Sequence, residues 1–554
     1  MDKSDRDKPV DLLPDRAVQF INLVARKFRY RKKVRQEVLD ELVTHFEDEL
    51  RGCTSEQDRD QKAQQLIAEF GDPGLLAVLM RRAKKRCRPL WAKVLIHSFQ
   101  AIGILLLYLV ICALPLRIGR PTIRVNYLDW INDLVRDNKD ESLNAKPYLD
   151  KAVQLASKAP ALPKEIDQQG HRVLWPEDMN EPQQKNIAEF LGKNTEALDA
   201  LREAVEKPHY WVHYELDRES PAARAVLGPG SFSAGLVEQA NRTLPGYRDL
   251  AFRMVLQIAC ETSQGDVEGA FDDCLVLTKF GMHLQGKGFL IEKLVGLSIE
   301  ALANKQAFRV LNTADMPAEV LKKAQQRLET LYSAQKALII FDAEKALLYE
   351  YVQRSFTDDG KGNGRVLKDG IPLVAVDIKS TLTGFLLVRF PDRQEVTRRI
   401  DRFYEELDRL LVIPPSSAAF QGQAERLKQI ALGNIFLKLE APAFERVGQQ
   451  IWRLKTDRQA LTTVLGVMRC RKEKGDCPSD LNEVVAAGYL DKLPIDPYSG
   501  RPLVYRRTDG GFLLYSLGTD LKDDGGRLGT DSQGRPRMWA ENGDWVFWPV
   551  ADRP

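Results

Sequence analysis

The sequence predicts a mainly α-helical protein with one transmembrane helix and a small α+β domain at its C-terminus, a helix packed on antiparallel hairpins. Three observations carry that prediction. An uncharged apolar run extends from Val94 to Leu116, and apolar residues recur at steps of three and four over much of the remaining chain. The last hundred residues instead alternate short apolar and aromatic runs with Asp-Gly and Asn-Gly turns. The expected divisions are an N-terminal tail and helix over 1–30, a helical domain over 31–90, the span over 94–116, a helical region over 117–440 and the α+β domain over 441–554. The 554 residues carry 81 Lys+Arg against 78 Asp+Glu, which excludes a nucleic-acid binder acting through overall charge. Seven cysteines in this length exclude a small disulfide scaffold.

The helical domain comes first. Val34, Val38, Leu39, Leu42, Val43, Phe46 and Leu50 form one apolar stripe, and Glu37, Asp40, Glu41, Glu47, Asp48 and Glu49 occupy the opposite face. A second helix turns Ala63, Leu66, Ile67 and Phe70 inward and stops at Gly71-Asp72-Pro73; a third starts near Gly74. The segments EVLDELVTHFEDEL at Glu37 to Leu50 and AEFGDPGLLAVLM at Ala68 to Met80 resemble the HAAS family of bacterial membrane-associated signalling domains. That resemblance implies a helical interaction domain with no chemistry of its own, and hence a cytosolic regulator as partner.

The run Val94 to Leu116 has 23 residues without a formal charge, enough for a bilayer-spanning helix. Arg81, Arg82, Lys84, Lys85, Arg86, Arg88 and Lys93 precede it, and only Arg117, Arg120 and Arg124 follow closely. The positive-inside rule then places residues 1–93 in the cytosol and the bulk of the chain outside the cytoplasmic membrane. Residues 1–93 hold 21 basic and 16 acidic side chains, so the basic excess lies wholly on the cytosolic side of that boundary.

Beyond it, helices are expected over Tyr127 to Val135 and Asn186 to Val205, between loops bearing Pro160, Pro163, Pro176, Pro182, Pro208, Pro221 and Pro229. A hairpin about Gly265-Asp266 follows, then a helix from Ile291 to Leu311 and a long one from Pro317 to about Ser355. Thr357 to Gly364 (TDDGKGNG) is expected to be a mobile linker, since no Glu completes an EF-hand loop there. Cys260 with Cys274 and Cys470 with Cys477 are spaced to form disulfides in an oxidising compartment, whereas Cys53, Cys87 and Cys112 are expected to be free.

Several catalytic patterns are incomplete. Gly281 to Lys287 has Walker A spacing, but Gly288 stands where Ser or Thr must hold magnesium, and Ser231 breaks the Gly-x-Ser-x-Gly pattern around Ser233. His209 and His213 lie four apart, the helical spacing for two ligands of one metal, with a third ligand to be sought at Glu215 or Asp217. Aromatic packing is the competing explanation of HYWVHYE.

A helix is expected from about Ala443 to Cys470, followed by hairpins around Asp509-Gly510-Gly511 and Asn542-Gly543. Between them, Asp520, Asp523, Asp524 and Asp531 put four hard oxygen donors in a glycine-rich loop, which suits calcium better than magnesium. YLDKLPIDPYSGRPLVYRR at Tyr489 to Arg507 and GFLLYSLGTDLKDDGG at Gly511 to Gly526 resemble the C-terminal domain of the major pseudopilin of type II secretion systems. The resemblance implies a calcium ion stapling the loop. Asp520 matches the aspartate after the strand, Asp523 and Asp524 fall before the glycine pair, Asp531 matches the distal acid, and the Leu517 carbonyl is a backbone ligand. The chain departs from that family in lacking a short basic leader before a Gly-Phe-Thr-Leu-Ile-Glu helix, and in having Ser532-Gln533-Gly534 where a second acid is usual. A reused module is expected, not a pilus subunit.

The function expected from these features is a non-enzymatic, single-pass component of the bacterial envelope that binds other envelope or secretion proteins. The alternatives are transmembrane signalling through the N-terminal domain and a metal-dependent envelope hydrolase using His209 and His213.

Overall fold

The computed structural model describes residues 13–86, 90–117, 119–136, 140–161, 180–216, 230–335, 339–367, 391–438 and 441–550. The chain divides into two compact units, Met1–Cys112 and Ala113–Pro554.

The first unit contains α1 (Asp15–Lys27), α2 (Lys32–Leu50), α3 (Glu56–Phe70), α4 (Pro73–Arg86) and most of α5 (Leu90–Arg117). On α2 the buried residues are Val38, Leu42, Phe46 and Leu50, a strict step of four that lays one stripe along the helix. Phe46 meets Phe20 of α1 and Phe70 of α3 at ring-centroid distances of 6.4 and 5.7 Å. The helix α1 thus belongs to this core, through Ala17, Phe20, Ile21 and Val24, instead of forming a separate tail over 1–30. Ser55 caps α3 by accepting from Asp58 N, and Gly71, at φ 71°, ends it.

The run that predicts a transmembrane helix does fold as one helix of 28 residues, α5. Yet among the described residues no helix is long and apolar enough to cross a membrane, and the expected span is corrected accordingly. The cause is local. His97, Ser98 and Gln100 place polar groups in one turn, with His97 Nδ1 3.2 Å from Gln100 Oε1. The wholly apolar stretch is then Ala101 to Leu114; at 1.5 Å per residue it covers roughly 21 Å, against about 30 Å of hydrocarbon. The basic excess before residue 94 remains a fact of composition.

The second unit opens with α6 (Tyr127–Val135), α7 (Lys146–Lys158), α8 (Glu181–Gly192) and α9 (Thr195–Val205). Its centre is α10 (Gly230–Ser263), α11 (Val267–Leu284) and α12 (Leu290–Thr313). The expected hairpin is present: Gly265 takes φ 83°, and Asp266 caps α11 by accepting from Gly269 N. The helices α11 and α12 approach closely, since a Cβ on Gly281 would lie 2.7 Å from the Gly296 carbonyl. The Walker-like spacing is therefore a helix end shaped by packing. The single long helix expected after Pro317 is two, α13 (Ala318–Ala334) and α14 (Asp342–Ser355).

The segment expected to be a mobile linker is an ordered loop. Phe356 bridges Val366, Asp359 N donates to Asn363 O at 2.8 Å, and the buried Asp358 carboxylate pairs with Arg124 and Arg393. After it come α15 (Arg393–Val412), α16 (Ala418–Leu432), α17 (Ile435–Lys438), α18 (Ala441–Lys474) and α19 (Leu481–Ala486). Phe341, Phe403, Tyr404 and Phe444 stack where α15 meets α18.

The helical region and the C-terminal residues share one core, in which Ala460, Leu461, Val464 and Leu465 of α18 join residues of α11, α12 and α13. Arg458 of α18 makes a buried two-pronged pair with Glu300 of α12, and Gln285 donates to the same carboxylate at 2.7 Å. The boundary expected at 440/441 is thus a continuous packed interface.

One partly buried carboxyl beside this core has an unusual balance. Glu261 of α10 accepts from Gln257 through Oε1 at 2.7 Å, while Oε2 is buried without a partner. Burial raises its pKa from 4.5 to about 7, opposed by the Gln257 bond, reinforced by the Asp273 charge and opposed again by Arg202. The native state therefore holds this proton where the unfolded chain has lost it. The associated stability is complete below pH 4.5 and disappears as pH rises through about 7. Glu261→Gln is expected to flatten that dependence and to stabilise the unit at pH 8 by on the order of 1–3 kcal/mol, read from urea unfolding at pH 5 and pH 8.

Candidate functional site

The C-terminal site rests on a three-stranded antiparallel sheet. The strands β1 (Val504–Thr508) and β2 (Gly511–Ser516) form the hairpin expected around Asp509-Gly510. The second hairpin is not formed. The strand β3 (Trp545–Trp548) pairs with β2 instead, giving the order β1-β2-β3. Trp545 and Phe547 are buried on the inner face, where Phe547 stacks on Phe308 of α12, so packing decides which strand β3 joins. Asn542 serves the connection: its Oδ1 accepts from Thr530 N at 2.9 Å.

That connection, residues 517–544, carries the aspartates. Gly518, Leu521, Gly525 and Gly526 all take positive φ. Asp520 accepts from Lys522 N at 3.2 Å. Asp523 accepts from Tyr515 Oη at 2.7 Å and Gly525 N at 3.0 Å through one oxygen, and from Arg506 at 2.6 Å through the other. The Tyr515 bond, then Gly525 N and the Arg506 charge, hold its carboxyl below the usual carboxylate range. The Asp524 carbonyl accepts from Arg527 Nε, and the residue is half-buried. Asp531 accepts from Gln533 N, Arg535 N and Arg535 Nε, which lower its pKa. Asp531 thus serves its own turn instead of converging with Asp520 and Asp523. Leu517 follows β2 directly, at the start of the loop.

Two residues outside the expected set organise the site. Asp496, almost fully buried, accepts from Tyr498 N at 3.0 Å and from Ser516 Oγ at 2.9 Å, fastening the Pro494-to-Gly500 turn to the end of β2. Asp544 is fully buried. Its Oδ2 accepts from Gly526 N at 2.7 Å, while Oδ1 has no hydrogen-bond partner among the described residues, although the Asp524 main chain lies close enough to favour the charged form. Burial raises its pKa, and the charges of Asp523 and Asp524 raise it further. An acid hidden beneath two acids, with one oxygen unsatisfied, is the feature of this loop that calls for a cation. The sequence signal for Asp544 was its place beside Asn542-Gly543, which reads equally well as a turn.

Among the described residues, no group of three or more His, Cys, Asp or Glu side chains is positioned to hold a metal ion. A calcium ion here would draw on Asp544 Oδ1, on Asp523 or Asp524, and on main-chain carbonyls such as that of Leu517, a ligand mixture calcium accepts. His209 and His213 lie on a segment that is not helical, so the spacing of four does not place them on one helix face. Glu215 is exposed on the same segment, and Asp217 lies outside the described residues. Cys260, Cys274, Cys470 and Cys477 are free thiols in this structure, as is Cys53. Cys87 lies outside the described residues, as does the side chain of Cys112. Ser231 and Ser233 lie on α10, but their side chains are also outside the described set.

Compared with known proteins, the chain matches no family model, no curated protein and no solved structure.

Proposed function

We propose that the protein is a non-enzymatic binding or assembly component of the bacterial envelope, in which calcium staples the loop 517–544 onto the sheet. The observation that carries this reading is the buried, unpartnered Asp544 Oδ1 beneath Asp523 and Asp524. The pseudopilin-like residues Tyr489 to Gly526 support it. The sheet is joined to a large helical body through α18, which suits a module presented on a scaffold to envelope or secretion proteins. Exposed Phe99, Ile102, Ile104, Leu106 and Leu107 on α5, following the basic Arg81, Arg82 and Lys84, support contact with a membrane surface.

Calcium titration of the purified full chain tests the staple. At a hundredfold excess over Kd, calcium is expected to stabilise the second unit by about 2.7 kcal/mol. Asp544→Asn is expected to abolish this response while raising stability in EDTA, because it removes a buried charge. Asp520→Ala with Asp524→Ala is expected to weaken the response as well. A wild-type protein whose melting is unchanged by calcium would remove the staple, and a response to zinc alone would favour the hydrolase reading.

A second reading is signalling through the first unit. It is favoured by the shallow acidic groove of Glu37, Asp40, Glu41, His45 and Asp48 on α2, a surface suited to a basic partner segment.

A further inference from the structure

A cleft of about 440 Å³ opens in the second unit between α6, α7, α10 and the extended segment 209–216. That segment is held rigidly by side-chain amides that read its backbone. Asn144 Nδ2 donates to Trp211 O, and its Oδ1 accepts from Trp211 N, both at 3.1 Å. Asn132 does the same for Tyr214, at 2.9 and 2.8 Å. Gln239 accepts from Glu215 N and donates to His213 O. The amides are thereby satisfied, and the cleft is a fixed hollow beside a pinned strap.

One buried wall residue takes its hydrogen bonds through a single carboxylate oxygen. Glu292 of α12 is 1% exposed and lines the cleft. Phe289 N, at 2.9 Å, and Tyr214 Oη both donate to its Oε2. No hydrogen bond from the described residues reaches Oε1. The neighbouring cation turns elsewhere, with Lys293 Nζ bonded to the Ile340 carbonyl and paired with Glu344. At the mouth, Arg136 is paired with Glu141 and Lys146 with Asp150, so neither is a free counter-charge. Trp211 supplies an aromatic wall.

We propose that this cleft is a binding site for a small organic amine, whose ammonium group donates to Glu292 Oε1 and rests against Trp211. A buried carboxylate with one open oxygen, beside an aromatic ring and with its cations already paired, favours a compact cation over an anion or a neutral solute. Burial raises the Glu292 pKa, against the bonds from Tyr214 and Phe289 N, which is the electrostatic debt that an ammonium ligand relieves. The site shares no residue with the calcium loop and stands or falls independently of it.

Isothermal titration of the full chain at pH 8 with n-butylamine and putrescine, and with n-pentanol as a neutral comparison, tests the proposal. Saturable one-to-one amine binding is expected, at least tenfold weaker in Glu292→Gln, whose amide oxygen still accepts from Tyr214. The melting curve reports whether that variant folds. The pentanol comparison needs no variant and is expected to show no saturation. Absence of saturable amine binding, equal affinity in a folded Glu292→Gln, or equal binding of the alcohol would each overturn the proposal.

Discussion

Replacing Arg458 with methionine is expected to destabilise the second unit by about 3–5 kcal/mol, measured by urea unfolding. The magnitude follows from what is left behind. Glu300 is fully buried, and among the described residues its carboxylate is bonded by the Arg458 fork and by Gln285. Without the guanidinium, the carboxylate must remain charged in a dry core or take a proton, and either is costly. Exchanging both partners, Arg458→Met with Glu300→Gln, is expected to recover most of the loss, because the amide remains within reach of Gln285 and no charge is stranded. The pair joins α18, which carries the acidic-loop module, to α12 at the centre of the helical body. Loss of stability confined to residues 441–550, with 230–335 unaffected in hydrogen exchange, would show that the two parts do not share a core.

In the first unit, Phe46→Ala is expected to cost about 3–5 kcal/mol, which is comparable to the whole stability of a helical unit this small. Phe46 is fully buried and is the ring that Phe20 of α1 and Phe70 of α3 both meet. Its ring is packed among Phe20, Leu42, Leu66 and Phe70, whose helices hold the space open when the ring is removed. The expected readout in the full-length protein is loss of hydrogen-exchange protection across 13–86, with residues 230–335 unchanged. Simultaneous loss in both regions would show that the two compact units unfold together.

The elements legible in the sequence were those whose signal is local. The step of four along Val38, Leu42, Phe46 and Leu50 was readable because a helix repeats its face regardless of its partner. The Gly265-Asp266 break, the Gly71 stop and the Asp509-Gly510 hairpin were readable because each depends on the φ or capping capacity of the residues themselves. The aspartate-rich loop was visible from composition. Its arrangement was not, because the Arg506 and Arg535 partners that occupy Asp523 and Asp531 come from geometry, and Asp544 looks like any turn aspartate until it is buried. The histidine pair depended on a related point: a spacing of four places side chains on one face only in a helix, and residues 209–216 are not helical.

By itself, the sequence determined the helical character of the chain, the self-contained stripe of the first unit, the first hairpin and the acidic loop, all properties carried by neighbouring residues. Only the tertiary structure decided that α1 belongs to the first core, that β3 joins β2, that α18 is welded to the helical body through Arg458 and Glu300, and that Glu292 opens into a cleft. Those outcomes rest on contacts between residues far apart in the chain. Burial and the competition for partners then set which charges are neutralised, and neither quantity exists before the chain is folded.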